Sequence, residues 1–303
     1  MRVAAIDCGT NSIRLLIADI SSNNFREVLR TMEIVRLGQG VDETGQFHPD
    51  AIARTLAAVD TFAGEIEKRG VERIRFCATS ATRDATNRNL FIDGVKERLG
   101  ITPEVIPGSE EAALSFLGAT RELIGHDAPY LVIDIGGGST EFVIGSQDVT
   151  NAISVNIGCV RMSERHFKSD PPSKSEIAAV NADIDAAISQ ASAVVPITQA
   201  KTVIAVAGTA TTVAAAALGL SGYDRYAIHL SKISLKQVQE VSDFFLSLNR
   251  QSRSRLGYMH PGRVDVIAAG SLVLRKALEA TGATSFIASE SDILDGMAWK
   301  LSE

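Results

Sequence analysis

Asp7-Cys8-Gly9-Thr10-Asn11-Ser12 and Asp134-Ile135-Gly136-Gly137-Gly138-Ser139 are two hexapeptides with the same pattern, D-x-G-x-x-S. Each follows a short apolar segment typical of a strand, and each is followed by two further predicted strands. The two hexapeptides therefore occupy the same position in two copies of a three-stranded meander. This agreement in both sequence and position predicts a duplicated domain.

The spacing of apolar residues predicts how each copy continues. The first half has the predicted order βββαβαβα, with strands at 3–7, 12–20, 25–35, 73–78 and 103–106 and helices at 52–66, 89–99 and 109–123. The second half has predicted strands at 130–135, 140–145, 152–157 and 203–207, and helices at 174–194, 209–218, 235–249, 263–281 and 292–301. We predict an α/β fold of two lobes, 1–122 and 123–303, with mixed sheets and an interdomain cleft. Segment 290–303 is expected to pack back on the N-terminal lobe.

The composition suits two such lobes. The chain has 303 residues, of which 45% are hydrophobic, enough for two domains of roughly 150 residues each. No apolar run reaches the roughly 18 residues that span a membrane, and a net charge of −6 argues against a general nucleic-acid binder. Three scattered cysteines, Cys8, Cys77 and Cys159, form no C-x-x-C pair. They favour a reducing, cytoplasmic location over a disulfide framework or a zinc site.

Both hexapeptides have the chemistry of a phosphate-binding turn. A turn after Asp-x-Gly presents consecutive backbone N–H groups to an anion, and glycine lets the main chain approach closely. Because Asp7 and Asp134 cannot face phosphate without repulsion, they predict a bridging divalent cation, Mg²⁺. A tight hairpin turn without a ligand is the alternative for either copy alone. The candidate phosphate-binding residues are Gly9, Thr10, Asn11 and Ser12 in the first copy and Gly136, Gly137, Gly138, Ser139 and Thr140 in the second.

A third anion site is predicted at Gly208 and Thr209. These residues follow the predicted strand 203–207 and begin a predicted helix, whose N–H groups and dipole favour an anion. Capping of the helix by Thr209 explains the same sequence equally well. The pattern leaves both interpretations open.

Further strings complete a pattern that runs in order over nearly the whole chain. They are Asp7–Ser12, Ala78–Ala85, Gly108–Ala112, Asp134–Glu141, Gly208–Thr212 and Arg263–Ile267. In these strings the chain resembles the exopolyphosphatase/guanosine pentaphosphate phosphatase (Ppx/GppA) family. The Asp134–Glu141 string and the Glu110-Glu111 pair are specific to that family, whereas D-x-G-T-x-x-x-R, here Asp7 to Arg14, also occurs in kinases of the same superfold. The resemblance implies two ribonuclease H-like lobes of the actin, hexokinase and Hsp70 superfold.

The resemblance also implies roles at matching positions. Glu111 corresponds to the residue that activates the attacking water, and Arg83 to an arginine near the terminal phosphate. Asp134 and Glu141 correspond to residues that hold Mg²⁺ and its waters. Physical chemistry agrees, because an attacking water needs a carboxylate within hydrogen-bond reach and a guanidinium binds phosphate by two-pronged contact. Ordinary first-turn glutamates and a surface arginine remain the alternatives.

The resemblance implies hydrolysis of the terminal phosphate of inorganic polyphosphate, with release of orthophosphate. A basic stretch at 249–255, with His260, Arg263, Arg275 and Lys276, suits such a polyanion, and a solvated helix end explains it too. Removal of the 5′ γ-phosphate of guanosine pentaphosphate is the alternative within the family. A kinase or a non-catalytic nucleotide sensor of the same superfold is a more distant one. The chain looks like the short form of the family, and the resemblance implies a homodimer.

Overall fold

The computed structural model describes residues 1–21, 24–123 and 125–302. The chain divides into two compact units. Unit 1 comprises Met1–Gly118 and the C-terminal segment that begins at Ile293, and unit 2 comprises Ala119–Asp292. Within the described residues, no helix is long and apolar enough to cross a membrane.

Unit 1 opens with three strands and continues with alternating helices and strands. In chain order its elements are β1 (Arg2–Cys8), β2 (Ser12–Ser21), β3 (Asn24–Ile34), α1 (Val41–Thr44), α2 (Pro49–Lys68), β4 (Arg73–Ala78), α3 (Ser80–Asp84), α4 (Asn89–Leu99), β5 (Glu104–Val105) and α5 (Gly108–Thr120). This is the predicted order with two short helices, α1 and α3, added.

Unit 2 begins with the same three-stranded arrangement. Its elements are β6 (Tyr130–Ile135), β7 (Thr140–Gly145), β8 (Val149–Val155), α6 (Cys159–His166), α7 (Lys174–Val194), β9 (Thr202–Val206), α8 (Ala207–Ala217), α9 (Arg225–Ile228), β10 (Lys232–Ser234), α10 (Leu235–Ser247), α11 (Arg250–Arg253), α12 (Ile267–Thr281) and β11 (Ser285–Ala288). The final helix, α13 (Ile293–Ser302), belongs to unit 1.

The sheet of unit 1 is mixed, with the strand order β3-β2-β1-β4-β5. β1 pairs antiparallel with β2 and parallel with β4. Successive side chains of a strand point to opposite faces of its sheet. Ala4 and Ile6 accordingly belong to the core that contains residues of α2 and α4, while Val3 and Ala5 pack with residues of α13. Because helices cover both faces, β1 is apolar at every position from Val3 to Ile6 and ends in the polar hexapeptide.

The sheet of unit 2 has the order β10-β11-β9-β6-β7-β8. β6 pairs antiparallel with β7 and parallel with β9, which repeats the relation of β1 to β2 and β4. Phe142 of β7, Phe245 of α10 and Phe286 of β11 are buried in its core. Both units therefore contain the meander that the repeated hexapeptides predict, with a parallel fourth strand beside its first strand.

Several elements of unit 2 differ from the prediction. The helix predicted at 263–281 begins at Ile267 instead, because a 3-10 turn at Pro261–Arg263 precedes it. In that turn the Arg263 amide donates to the His260 carbonyl, and the Val266 amide then donates to Arg263. The prediction also omits α6, α9, α11, β10 and β11. All of these are short, and short elements give weak periodic signals.

Candidate active site

The first hexapeptide forms a tight turn between β1 and β2. The Gly9 amide donates to the Ser12 carbonyl at 3.0 Å, and the carbonyls of Thr10 and Asn11 accept hydrogen bonds from the chain at 35–38. In a planar trans peptide, the carbonyl of one residue and the amide of the next point in opposite directions. The Asn11 and Ser12 amides therefore point away from that segment, in the orientation of an anion-binding nest.

The second hexapeptide forms the same turn between β6 and β7, where the Gly136 amide donates to the Ser139 carbonyl at 3.0 Å. Its three glycine carbonyls all accept hydrogen bonds from the start of α6. The donors are Cys159 N to Gly136 (2.9 Å), Val160 N and Arg161 N to Gly137 (2.9 and 3.1 Å), and Arg161 Nε to Gly138 (2.8 Å). By the same peptide geometry, the amides of Gly137, Gly138 and Ser139 point away from α6.

The close approach of α6 to this loop depends on Gly158. A Cβ at this position would lie 2.2 Å from both the carbonyl carbon and the carbonyl oxygen of Gly137. The φ angle of Gly158 is −99°, which any residue can adopt, so the requirement for glycine is one of space. The sequence prediction did not identify Gly158, since nothing local to it reports a contact with Gly137.

The hydroxyl groups of the two loops have different surroundings. Thr10 is buried, and within the described residues its Oγ1 has no hydrogen-bond partner, so this hydroxyl can accept a bond from, or donate one to, a water or a bound ligand. Ser139 donates to Glu141 Oε1 at 2.8 Å. Thr140 is fully buried and donates to the Ile157 carbonyl at 2.5 Å. The Thr140 hydroxyl thus connects β7 to the segment that follows β8. The Thr140 side chain is occupied by this bond, so its backbone amide is the group suited to a ligand.

Two acidic side chains follow from the pairing of β6 with β7. Asp134 and Glu141 are direct partners in this antiparallel pair, so their side chains project from the same face. Their exposed fractions are 6% and 1%. Glu141 Oε1 also accepts a hydrogen bond from Ser154 on β8 at 2.7 Å. Two buried carboxylates side by side are costly unless a cation balances them.

This acidic pair fits Mg²⁺. That ion is usually held by one or two carboxylates, and water and substrate phosphates complete its octahedral shell. Among the described residues, no group of three or more His, Cys, Asp or Glu side chains is placed to hold a metal. Asp134 and Glu141 supply two carboxylates, which lies within the number of protein carboxylates that Mg²⁺ usually takes.

Asp7 lies at the equivalent position in unit 1, but its partner differs. Arg14 is its direct neighbour on β2, and Asp7 Oδ2 accepts hydrogen bonds from Arg14 Nε at 3.0 Å and Nη2 at 2.6 Å. The negative charge of Asp7 is therefore balanced within unit 1. Arg14 follows Asp7 by the same seven residues that separate Glu141 from Asp134, so this contact could have been read from the repeat.

Glu111 lies in the first turn of α5, and its side chain is largely shielded from solvent. Its Oε2 accepts a hydrogen bond from Arg83 Nη1 at 2.8 Å, and the same nitrogen donates to the Ile106 carbonyl at 3.0 Å. Burial raises the pKa of Glu111 above its usual value, and the negative charge of Asp7 adds to this rise. Arg83 and a hydrogen bond from Thr79 act in the opposite direction on the same pKa. Asp7, Thr79, Arg83 and Glu111 thus form one electrostatic group in unit 1.

Glu110 faces a different partner from Glu111. Its Oε1 accepts a hydrogen bond from Arg75 Nη2 at 2.5 Å, and Arg75 also donates to Glu104. The Glu110 side chain is 42% exposed, against 12% for Glu111. The structure therefore distinguishes the two adjacent glutamates, which the sequence could not do without the family resemblance.

The third predicted site lies where β9 passes into α8. Ala207 has a φ of 63°, a left-handed conformation that turns the chain sharply at this point. A Cβ on Gly208 would lie 1.3 Å from Arg263 Nη1, so the guanidinium of Arg263 rests on Gly208. Thr209 is buried, and Thr212 Oγ1 donates back to the Gly208 carbonyl at 2.7 Å. The guanidinium of Arg263 therefore lies against the first turn of α8.

Three residues of the predicted basic group are paired with acidic side chains. Arg253 is buried and contacts Asp170 at 2.8 Å. Arg275 pairs with Asp243 and Glu279, and Lys276 pairs with Asp185. These pairs indicate that Arg253, Arg275 and Lys276 support the fold. Arg263 lies against Gly208, at a predicted anion site.

Two mixed sheets, each with the same glycine-containing turn after its first strand, define an α/β protein of the actin-like superfold. The profile of the Ppx/GppA phosphatase family matches residues 16–301. The chain belongs to this family, which confirms the resemblance drawn from the motifs. It is accordingly a phosphatase-type hydrolase.

Individual relatives agree with this assignment. The chain is 45% identical over 313 residues to Exopolyphosphatase 2 of Mycobacterium tuberculosis, covering 99% of this chain and 98% of that protein. It is 35% identical over 193 residues to the guanosine-5′-triphosphate,3′-diphosphate pyrophosphatase of Pseudoalteromonas atlantica, covering 63% and 37%. The solved structure of the Ppx/GppA enzyme of Aquifex aeolicus superposes with a TM-score of 0.83 at 32% identity, covering 99% of each chain. The predicted fold class is confirmed by this match.

Proposed function

We propose that this chain is an exopolyphosphatase, which hydrolyses the terminal phosphate of inorganic polyphosphate and releases orthophosphate. The observation that supports this type of reaction is the largely shielded Glu111 carboxylate, which lies 2.8 Å from Arg83 Nη1. The substrate class is supported by similarity over the whole chain to a protein named Exopolyphosphatase 2. The similarity to guanosine-5′-triphosphate,3′-diphosphate pyrophosphatases covers less of the chain.

Glu111 is the proposed general base. A base works best when its pKa lies near the working pH, and burial shifts the pKa of Glu111 in that direction. In its ionised form it would take a proton from the attacking water. Its contact with Arg83 fixes the direction of the carboxylate, because the same Arg83 nitrogen is anchored on the Ile106 carbonyl.

The phosphate groups are proposed to bind to main-chain amides. In unit 1 these belong to the turn Gly9–Ser12, where Thr10 supplies a buried hydroxyl. In unit 2 they belong to the turn Gly136–Thr140 and to Gly208–Thr209, beside Arg263. Phosphoryl transfer depends mainly on positioning and on neutralisation of charge. Arg83 would contribute to both at the terminal phosphate.

Asp134 and Glu141 are the proposed Mg²⁺ ligands. When bound, this ion would neutralise negative charge on phosphate oxygens. Ser139 and Ser154 both donate to Glu141 Oε1, which fixes the orientation of this carboxylate. Asp7 stays a proposed metal ligand from the sequence, but the Arg14 guanidinium already balances its charge. We therefore expect Asp7 to contribute less to metal affinity than the acidic pair of unit 2.

Guanosine pentaphosphate is the alternative substrate. The same loops and the same base would serve its 5′ γ-phosphate, and relatives named for that nucleotide share part of this sequence. The deciding experiment offers long-chain polyphosphate, guanosine pentaphosphate and ATP separately with Mg²⁺ and measures phosphate release. We expect release from polyphosphate. Release from guanosine pentaphosphate alone would establish the alternative, and release from none of the three would overturn the proposal.

Two further properties remain predictions. The family resemblance predicts a homodimer, which sedimentation velocity would test. The cysteine content predicts a cytoplasmic location, which fractionation of cells that express the chain would test. Transfer of phosphate from ATP to a small acceptor would favour a kinase instead, and binding of nucleotide without turnover would favour a sensor.

A further inference from the structure

A chain of hydrogen bonds leads from the predicted anion site on α8 to the imidazole of His229. Tyr223 Oη is 2.8 Å from Thr211 Oγ1 and 2.5 Å from Glu290 Oε1. The Glu290 amide donates to His229 Nδ1 at 3.1 Å, and His229 Nε2 lies 2.7 Å from Glu122 Oε2. All five residues belong to unit 2. The chain begins on α8, within the first turns after Gly208.

The protonation pattern of this chain follows from its donors. A backbone amide can only donate, so His229 Nδ1 must carry a lone pair. The proton of the neutral imidazole then sits on Nε2 and points at the Glu122 carboxylate. An ionised carboxylate can only accept, so Tyr223 donates its single proton to Glu290. Burial and the charge of Glu290 both raise the pKa of Tyr223, which keeps the phenol protonated for this role.

We propose that Tyr223 and His229 are positioning residues for the turn at the start of α8. His229 fixes the main chain at Glu290, the Glu290 carboxylate fixes Tyr223, and Tyr223 holds the buried hydroxyl of Thr211. The Gly208–Thr209 segment precedes Thr211 on the same helix, so its orientation depends on this support. That this segment matters for substrate binding rests on the proposed function. That Tyr223 and His229 hold it in place rests on the hydrogen bonds alone.

Two substitutions of His229 test whether the hydrogen bond that its Nδ1 accepts is the one that matters. In His229→Asn the side-chain oxygen can take the place of Nδ1 and accept from the Glu290 amide. In His229→Gln the amide nitrogen can take the place of Nε2 and reach Glu122, but the Nδ1 acceptor is lost. Tyr223→Phe removes the hydroxyl from a side chain that is 47% exposed, and Tyr226→Phe, at 87% exposure, is its matched control.

Two measurements separate this proposal from the proposed function. The first is amide hydrogen exchange over residues 207–213 in the protein without substrate. A hydrogen bond between neutral groups is worth about 0.5–1.5 kcal/mol, so we expect exchange to rise about two- to tenfold in Tyr223→Phe and His229→Gln. Wild type, His229→Asn and Tyr226→Phe should exchange alike. Unchanged exchange in Tyr223→Phe, or equal loosening by Asn and Gln at position 229, would overturn the proposal.

The second measurement is the steady-state kinetics of polyphosphate hydrolysis. We expect the KM to rise by up to about tenfold in Tyr223→Phe and His229→Gln with little change in kcat, because the supported turn is proposed to bind phosphate and not to take a proton from the attacking water. A fall in kcat at constant KM would contradict a positioning role for binding. If no variant and no wild-type protein hydrolyses polyphosphate, the proposed function fails, while the exchange data still decide this inference.

Discussion

Asp134 stands directly opposite Glu141 in the antiparallel pair of β6 and β7. At the equivalent position of unit 1, Asp7 stands opposite Arg14 and accepts two hydrogen bonds from it. The two turns therefore have the same backbone hydrogen bond, but the residue opposite the aspartate is positive in unit 1 and negative in unit 2. Unit 1 places an arginine opposite its aspartate, whereas unit 2 places a second buried carboxylate there. This difference places the proposed metal requirement in unit 2.

The first prediction concerns the stability of unit 2. Like charges that face each other directly across strands destabilise a sheet. Asp134→Asn should therefore raise the unfolding temperature in the absence of Mg²⁺. Added Mg²⁺ should stabilise the wild type, by about 2.7 kcal/mol at a concentration one hundred times the Kd. The variant should lose most of that response. Calorimetry with and without MgCl₂ measures both effects.

Asp148→Asn is the matched control for this experiment. Asp148 is an exposed acidic residue in the turn between β7 and β8, so its removal changes the net charge by the same amount. It should keep the wild-type response to Mg²⁺. Equal responses to Mg²⁺ in Asp134→Asn and in the wild type would show that the acidic pair does not hold the ion.

The second prediction concerns the proposed base. Glu111→Gln keeps the size of the side chain and an acceptor for Arg83, but it cannot take a proton from water. General-base catalysis is typically worth about 10²–10⁴-fold, so kcat should fall by this factor while the KM changes little. Glu110→Gln is the control, because Glu110 pairs with Arg75 and its side chain is 42% exposed. A normal kcat in Glu111→Gln would remove Glu111 from this role.

The third prediction is a pH dependence. Burial raises the pKa of Glu111, and Arg83 limits the rise. Because the base must be ionised, kcat should fall as the pH drops through this pKa, at a pH above the value of about 4.3 that is usual for glutamate. Arg83→Gln removes the opposing positive charge, so the pKa should rise further and the acidic limb of kcat should move to higher pH. If the acidic limb of the kcat profile moved to lower pH or stayed in place, Arg83 would not be what limits the pKa of the catalytic base.

The sequence predicts the meanders well because their turns are local. The pattern D-x-G-x-x-S specifies a turn within six residues, and the apolar alternation on either side specifies the strands. Since the pattern occurs twice in the same context, it also predicts the duplication. The acidic pair follows from the same information, because Asp134 and Glu141 flank one tight turn and must face each other once that turn forms.

Contacts between distant parts of the chain are what the sequence cannot supply. Ser154 reaches Glu141 through the pairing of β7 with β8, and Gly158 meets the loop only when α6 docks on it. Arg253 looks like part of a basic surface, yet Asp170, 83 residues away, neutralises it. Thr140 looks like a phosphate-binding hydroxyl, yet its side chain is wholly buried. In each case the partner is set by packing of the whole unit.

The last prediction tests how far the glycine loop depends on α6. Gly158→Ala would bring a methyl group within 2.2 Å of the Gly137 carbonyl, and this neighbour is backbone, which cannot move aside as a flexible side chain could. Overpacking of this kind typically costs about 1–3 kcal/mol. We expect a lower free energy of unfolding and, because the Gly136–Ser139 amides shift, a higher KM for polyphosphate. Gly222→Ala is the control, since a Cβ there would meet nothing within 4 Å. If Gly158→Ala loses stability but keeps the wild-type KM, the loop amides do not bind the substrate, and the phosphate contacts of unit 2 must lie elsewhere.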